Sequence, residues 1–187
     1  MIFGNPYNFS LYIDKFFYID SIRDWDCMCG YYINGKPHIS DSSQMLFNQK
    51  ESLLNGGFGN IKYSKEIYNL PLIEAFKVLV RKRFINFLGE SDDSFFNASW
   101  VEPDEDYMDF DANLESGNSG SIRYKLFVVG FEENIRIISY IGSSSYYNLC
   151  EVDKYSIDEC FISISELGNI IKEFEEWCNF TLYHENG

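Results

Sequence analysis

Histidine is nearly absent from this 187-residue chain, with only His38 and His184 present. Neither lies beside a nucleophile motif, so a hydrolytic triad has almost nothing to draw on. Zinc fares no better: Cys27-Met28-Cys29 leaves a single residue between the thiols, and no second pair follows at ligand spacing. On a strand two such cysteines point to one face, and they read as packing residues. The remaining cysteines, Cys150, Cys160 and Cys178, make an odd total of five. A chain this size has no need of disulfides, which suits a reducing compartment. The sequons at Asn8, Asn97 and Asn179 are then accidental.

Basic residues are also scarce, 15 Lys and Arg against 29 Asp and Glu, for a net charge of −14. Phosphate binding needs clustered cations, so nucleic acid is excluded as a ligand, and the same argument disfavours an anionic membrane surface. The N-terminus, MIFGNPYNFSLYIDKFF, has no basic leader and no clean apolar run. It reads neither as a signal peptide nor as a membrane span, which leaves the cytoplasm as the expected location. Gly56-Gly57-Phe58-Gly59 lacks the Gly-Lys-Ser/Thr ending of a phosphate loop and reads as a turn.

Apolar residues, in contrast, are plentiful. Hydrophobic residues make up 45% and aromatics 18%, including 17 Phe and 14 Tyr, which is outside the composition of disordered chains. Tyr7 to Phe17 and Cys27 to Ile33 read as strands, and Asn34-Gly35 is a strong hairpin signal that turns the chain back through Lys36 to Ser40. After Pro71, the residues Leu72, Ala75, Phe76, Leu79, Val80, Phe84, Phe87 and Leu88 recur at helical spacing, and Gly89 stands as the C′ residue. Arg123 to Gly130, Asn134 to Ile141 and Glu159 to Ile164 read as a three-stranded meander. A closing helix through about Phe180 is expected to be capped by Ser165. With no internal repeat or linker, the expectation is one α+β domain over residues 1–187: antiparallel sheet packed with about two main helices.

The charge is concentrated in one place. From Glu90 to Glu115 there are ten acids and no Lys or Arg, which is −10 of the −14. Phe95, Phe96, Trp100, Tyr107 and Phe110 lie among them. Aromatic anchors within a charged rim suit a protein interface, and such a field attracts a basic partner. The candidate partner-binding residues are therefore Trp100, Glu102, Asp104, Glu105, Asp106, Tyr107, Asp109, Phe110 and Asp111. The alternatives are a solvated loop, a general acidic adaptor or nucleic-acid mimic, and a metal-dependent or acid/base enzyme using the Asp104 to Asp111 carboxylates. Asp109, Asp111 and Asn113 match the start of an EF-hand loop, but Leu114 stands where that loop needs Gly, and Gly120 where it needs Glu. Paired carboxylates would need a cleft that raises one pKa, and no such cleft can be read here. No catalytic residue, metal site or cofactor is expected.

The opening, Met1-Ile2-Phe3-Gly4-Asn5-Pro6-Tyr7-Asn8-Phe9, resembles the start of the immunity 42 family of polymorphic-toxin and contact-dependent-inhibition systems. The likeness continues through a Trp-containing stretch and a strand ending in Ile33-Asn34-Gly35, and the late strands closed by a C-terminal helix share the layout. Asp41 to Gly59 and the acidic stretch lie outside that pattern. The resemblance implies a small cytoplasmic protein without catalysis of its own, monomeric when free. It would bind and block a cognate toxin domain, the C-terminal part of a large secreted effector. A basic nuclease fits the acid excess, because an acidic partner can occupy a groove meant for phosphate.

Overall fold

The structure is a computed structural model that describes residues 1–39, 43–56, 58–83, 110, 112, 123–142 and 156–184. Among these the chain forms eight strands and four helices in an α+β arrangement: β1 (Ile2–Asn5), β2 (Phe9–Ile19), β3 (Asp24–Ile33), β4 (Lys36–Ile39), β5 (Gln44–Met45), α1 (Leu46–Asn55), α2 (Lys65–Asn69), α3 (Leu72–Arg83), β6 (Arg123–Phe131), β7 (Asn134–Gly142), β8 (Ser156–Ser163) and α4 (Ile164–His184).

The strands divide into two antiparallel sheets rather than one. The N-terminal sheet runs β1-β2-β3-β4, with β5 also paired to β3, and the C-terminal sheet runs β6-β7-β8. Asn34 and Gly35 adopt positive φ (50° and 81°), the left-handed pair that a two-residue hairpin turn requires. The meander keeps an unbroken register from Arg123↔Gly142 to Phe131↔Asn134 and from Asn134↔Ser163 to Ile141↔Ser156.

The main core lies between the sheets. Phe9, Leu11 and Ile13 of β2 and Cys27, Cys29, Tyr31 and Ile33 of β3 alternate along their strands toward it. They meet Leu46 and Leu53 of α1, Leu167, Ile170, Phe174 and Cys178 of α4, and one face of the C-terminal sheet (Leu126, Val128, Ile135, Ile137). The other face of that sheet, Phe127, Val129, Ile138 and Tyr140, forms a second core with Ile67 of α2 and Ala75, Phe76 and Leu79 of α3. Strands β6 and β7 are therefore an inner layer, buried on both faces wherever their side chains are described between Leu126 and Gly130 and between Ile135 and Tyr140, while β8 keeps Phe161 half exposed.

That position explains their composition, because strands buried on both faces read as continuous apolar runs. The outer strand of the sheet is also covered. Gly130 donates to Lys62 O (2.8 Å) and accepts from Ser64 N (3.0 Å), laying 62–64 along the edge of β6 and hiding backbone that would otherwise invite pairing. A Cβ at Gly130 would come within 2.9 Å of the Tyr63 ring, so the close approach requires glycine.

The α3 apolar positions Ala75, Phe76 and Leu79 are buried as their spacing predicts; Phe84 to Gly89 lie outside the described residues. The closing helix is capped by Ser163 and not Ser165. β8 runs through Ser163, and the Ser163 Oγ accepts from Glu166 N (3.1 Å), three residues on, as in the first half of a capping box. Ser165 is spent on a 3.0 Å contact with the Ser163 hydroxyl.

Candidate functional site

Of the nine residues singled out for partner binding, Trp100, Glu102, Asp104, Glu105, Asp106, Tyr107, Asp109 and Asp111 lie outside the described residues, as does Asn113 of the metal alternative. Phe110 is described, and it is a core ring, 8% exposed, packed in the second core. Two residues on, Ala112 donates to Leu126 O (3.0 Å) and accepts from the Tyr31 hydroxyl (2.8 Å). The C-terminal end of the acidic stretch is thus pinned to both sheets, by a ring in one core and by backbone bonds beside the other.

The polar groups that the described residues do bring together form a seam between the sheets. His38 of β4 is 1% exposed; its Nδ1 is 3.0 Å from the Ser139 hydroxyl of β7, and its Nε2 is 3.4 Å from Asp158 Oδ2 of β8. Lys36 reaches the other oxygen of Asp158 at 2.5 Å, and the Asn34 amide donates to Glu159 O (2.7 Å). A Ser-His-Asp set was not legible in the sequence, since the three residues are spread over 121 positions of chain with no motif around any of them.

Its residue types suggest hydrolysis, but its burial denies it. Ser139 is fully buried in the middle of an inner strand, so no substrate carbonyl can approach its oxygen. Burial holds the His38 pKa below its usual value, against the opposing pull of Asp158, which keeps the ring neutral near pH 7. The set acts as a cross-tie that pairs polar groups at the sheet junction.

A second polar feature is Arg136 of β7, 2% exposed. Nε and Nη2 bind Glu159 Oε2 at 2.7 and 2.6 Å, while Nη1 donates to the carbonyls of Ile67 (3.1 Å), Tyr68 (2.9 Å) and Leu70 (2.6 Å). The Tyr68 and Leu70 carbonyls are ones that the end of α2 leaves without helical partners, whereas the Ile67 carbonyl also accepts from Leu70 N (3.3 Å). The guanidinium therefore closes a helix and neutralises a carboxylate in the same position.

The Cys27 and Cys29 sulfurs lie 3.8 Å apart in the main core, with Cys27 donating to Gln44 O (3.1 Å). Burial pushes the Cys29 and Cys178 thiols well up, and that of Cys160 to about 12. Such thiols are inert packing groups. Among the described residues, no three His, Cys, Asp or Glu side chains converge as metal ligands, and no helix is long and apolar enough to cross a membrane.

The family model of immunity protein 42 matches residues 1–177. The chain belongs to the immunity protein 42 family. The resemblance carried by the first nine residues therefore extends over nearly the whole sequence, including the segment Asp41 to Gly59 and the acidic stretch, which the opening pattern did not reach. The fold is similar to that in the crystal structure of CdiI from Burkholderia dolosa AUO158, at a TM-score of 0.61 and 19% identity, covering 92% of this chain and 97% of that one. At that identity the likeness is one of fold. No curated protein matches the sequence. As an immunity protein the chain is an inhibitor and not an enzyme, so the buried Ser139-His38-Asp158 set belongs to the architecture.

Proposed function

We propose that this chain binds the toxin domain of a bacterial effector encoded beside it and neutralises that toxin as a one-to-one, noncovalent inhibitor. The family match over residues 1–177 carries the reading. The charge distribution supports the finer part: a basic toxin, such as a nuclease whose groove is built for phosphate, would be drawn to a chain carrying ten acids between Glu90 and Glu115. The inhibitor is monomeric when free and acts in the cytoplasm, where it meets the C-terminal toxic part of a large secreted effector. Glu102, Asp104, Glu105, Asp106, Asp109 and Asp111 serve in this reading as the steering surface, with Trp100 and Tyr107 as anchors.

Co-expression of this chain should restore growth to cells producing the toxin domain encoded immediately upstream, and the purified proteins should bind in calorimetry at micromolar concentration. No binding there would sink the proposal. The steering role has its own test. Surface charges act over roughly 8 Å at physiological salt, so neutralising Asp104, Glu105 and Asp106 to Asn and Gln should slow association and flatten its salt dependence, whereas Trp100→Ala or Tyr107→Ala should speed dissociation. An unchanged association rate in the triple variant would remove the acidic stretch from the interface.

A further inference from the structure

The fold leaves several large apolar side chains in solvent, and Ile22, Phe47 and Tyr183 among them line one cleft. Phe16 and Phe17 of β2, Ile22 in the β2–β3 turn, Phe47 at the start of α1, and Phe180 and Tyr183 near the end of α4 are each 48 to 72% exposed. Isolated exposed apolar residues are ordinary, but a group of them at one place is not.

The local structure shows how they come to face outward. The β2–β3 register shifts between Lys15 and Phe17, a bulge that leaves Phe16 opposite no residue and turns two consecutive rings away from the core. Arg23 in the following turn has a φ of 55°, in the left-handed region that disfavours its side chain. The turn brings the chain back to Asp24, whose two oxygens accept from Trp25 N (2.7 Å) and Phe47 N (3.3 Å). That carboxylate ties the hairpin to the start of α1, which has no side-chain cap from its own Met45. Between hairpin tip, α1 and α4 lies an open cleft of about 750 Å³, walled by Tyr18, Ile22, Met45, Phe47, Leu182 and Tyr183.

We infer that this cleft and the rings around it form the surface that holds the toxin, taking apolar anchor side chains from a basic protein domain. The inference rests on the toxin-binding reading above and gives it a second contact, made by residues other than those of the acidic stretch. A small molecule is a poorer occupant. Asp24 has both oxygens engaged, Arg23 is the one other charged group on the wall, and the rings extend beyond the cleft onto open surface. A protein interface has that composition, with aromatic anchors at its centre and charge at its rim.

The rim selects a basic partner. Asp14 and Asp20 flank the rings on β2 and its turn, and Glu176 and Glu173 lie one and two turns before Phe180 on α4, all exposed. Of the cations at this end, Lys15 is half-buried with its ammonium 4.4 Å from the Trp25 ring centre, Lys172 pairs with Glu176 at 3.8 Å, and Arg23 stands exposed on the cleft wall. The acids outnumber what faces them, so the patch and the chain's overall charge of −14 favour the same partner.

The test is calorimetry of Phe47→Ala/Tyr183→Ala against the toxin domain encoded immediately upstream, with Tyr7→Ala, an exposed ring at the other end of β2, as control. The double variant should bind at least about thirtyfold more weakly, as buried interface anchors do, while Tyr7→Ala binds like the parent. Both should melt with the parent, because the truncated rings are exposed. Parent-like affinity in the double variant, or an equal loss in the control, overturns the surface assignment and leaves the immunity reading standing. Failure of the parent itself to bind overturns both. Light scattering on the free chain adds a last arm: a dimer that dissociates in the double variant would give the patch to a second copy and overturn the proposal.

Discussion

In β7, Ile137 and Ile138 are neighbours on the chain, point to opposite faces of the sheet and are both fully buried; in β2, Ile13 is buried while Asp14 beside it is exposed. The first pair belongs to an inner layer and the second to a sheet with one dry face among the described residues. Antiparallel sheets commonly have one solvated face, and the C-terminal sheet departs from that because α2 and α3 cover the side that the main core does not. An inner strand cannot send its polar residues to water, so each must be paired within the protein. Arg136 and Ser139, buried polar side chains of β7, are each bonded to another element.

The largest test of this contrast is Arg136. Replacing it with Met keeps much of its volume but leaves the Tyr68 and Leu70 carbonyls and the Glu159 carboxylate without this donor, and the Ile67 carbonyl with Leu70 N alone. The cost should be about 3–5 kcal/mol, read as a lower urea midpoint at constant m-value. Glu159→Gln should cost only about 1 kcal/mol, since that side chain is 27% exposed and the amide oxygen still accepts. A cost under about 1 kcal/mol for Arg136→Met would mean that water reaches the end of α2.

Next come the paired truncations. Ile137→Ala and Ile138→Ala should each cost about 2–4 kcal/mol, one from each core, and Ile13→Ala should match them. Asp14→Ala should stay within about 0.5 kcal/mol of the parent. Should Ile138→Ala prove as mild as Asp14→Ala, the layer of α2 and α3 would not be sealing the sheet, and the contrast would collapse.

The same contrast governs what could be read from sequence. The strands of the meander were legible because continuous Val, Ile and Phe runs between turn residues have few other uses, and α4 because Leu167, Ile170, Phe174 and Cys178 keep helical spacing over many turns. Strand β1, four residues with a glycine at positive φ, is too short to show a period. Helix α1 has no side-chain cap of its own, its first turn being held by Asp24 from β3, a tertiary contact with no local signature. Five-residue α2 has a local cap in Ser64, which accepts from Ile67 N (3.3 Å), but its C-terminal end is closed by Arg136, 66 positions along the chain from Leu70. As for the candidate site, the sequence pointed to the acidic stretch by composition alone. The exposed rings at the far end of β2 were missed because a bulge, which re-aims side chains, leaves no pattern distinguishable from an aromatic-rich strand.

The smallest expected effect concerns the seam where the two sheets meet. His38 is buried there against Ser139, with Asp158 and Lys36 as the charged groups beside it, and desolvation holds its pKa below the usual 6.5 in spite of the carboxylate. In the unfolded chain the ring takes up a proton near 6.5, whereas the folded chain resists it. Between those two values the unfolded state binds more protons, so stability rises with pH. The contribution is whole above the unfolded value, declines as pH falls toward the depressed folded value, and is fully lost below it. Urea unfolding at pH 7.5 and pH 5.5 should therefore show the parent weaker at the lower pH, and His38→Gln, which cannot titrate, should show a smaller difference. Carboxylates titrate mainly below this window and are common to both proteins, so they cancel in the comparison. Equal pH dependence in the two would mean that the seam admits a proton as readily as water does, and that the junction between the sheets is wet.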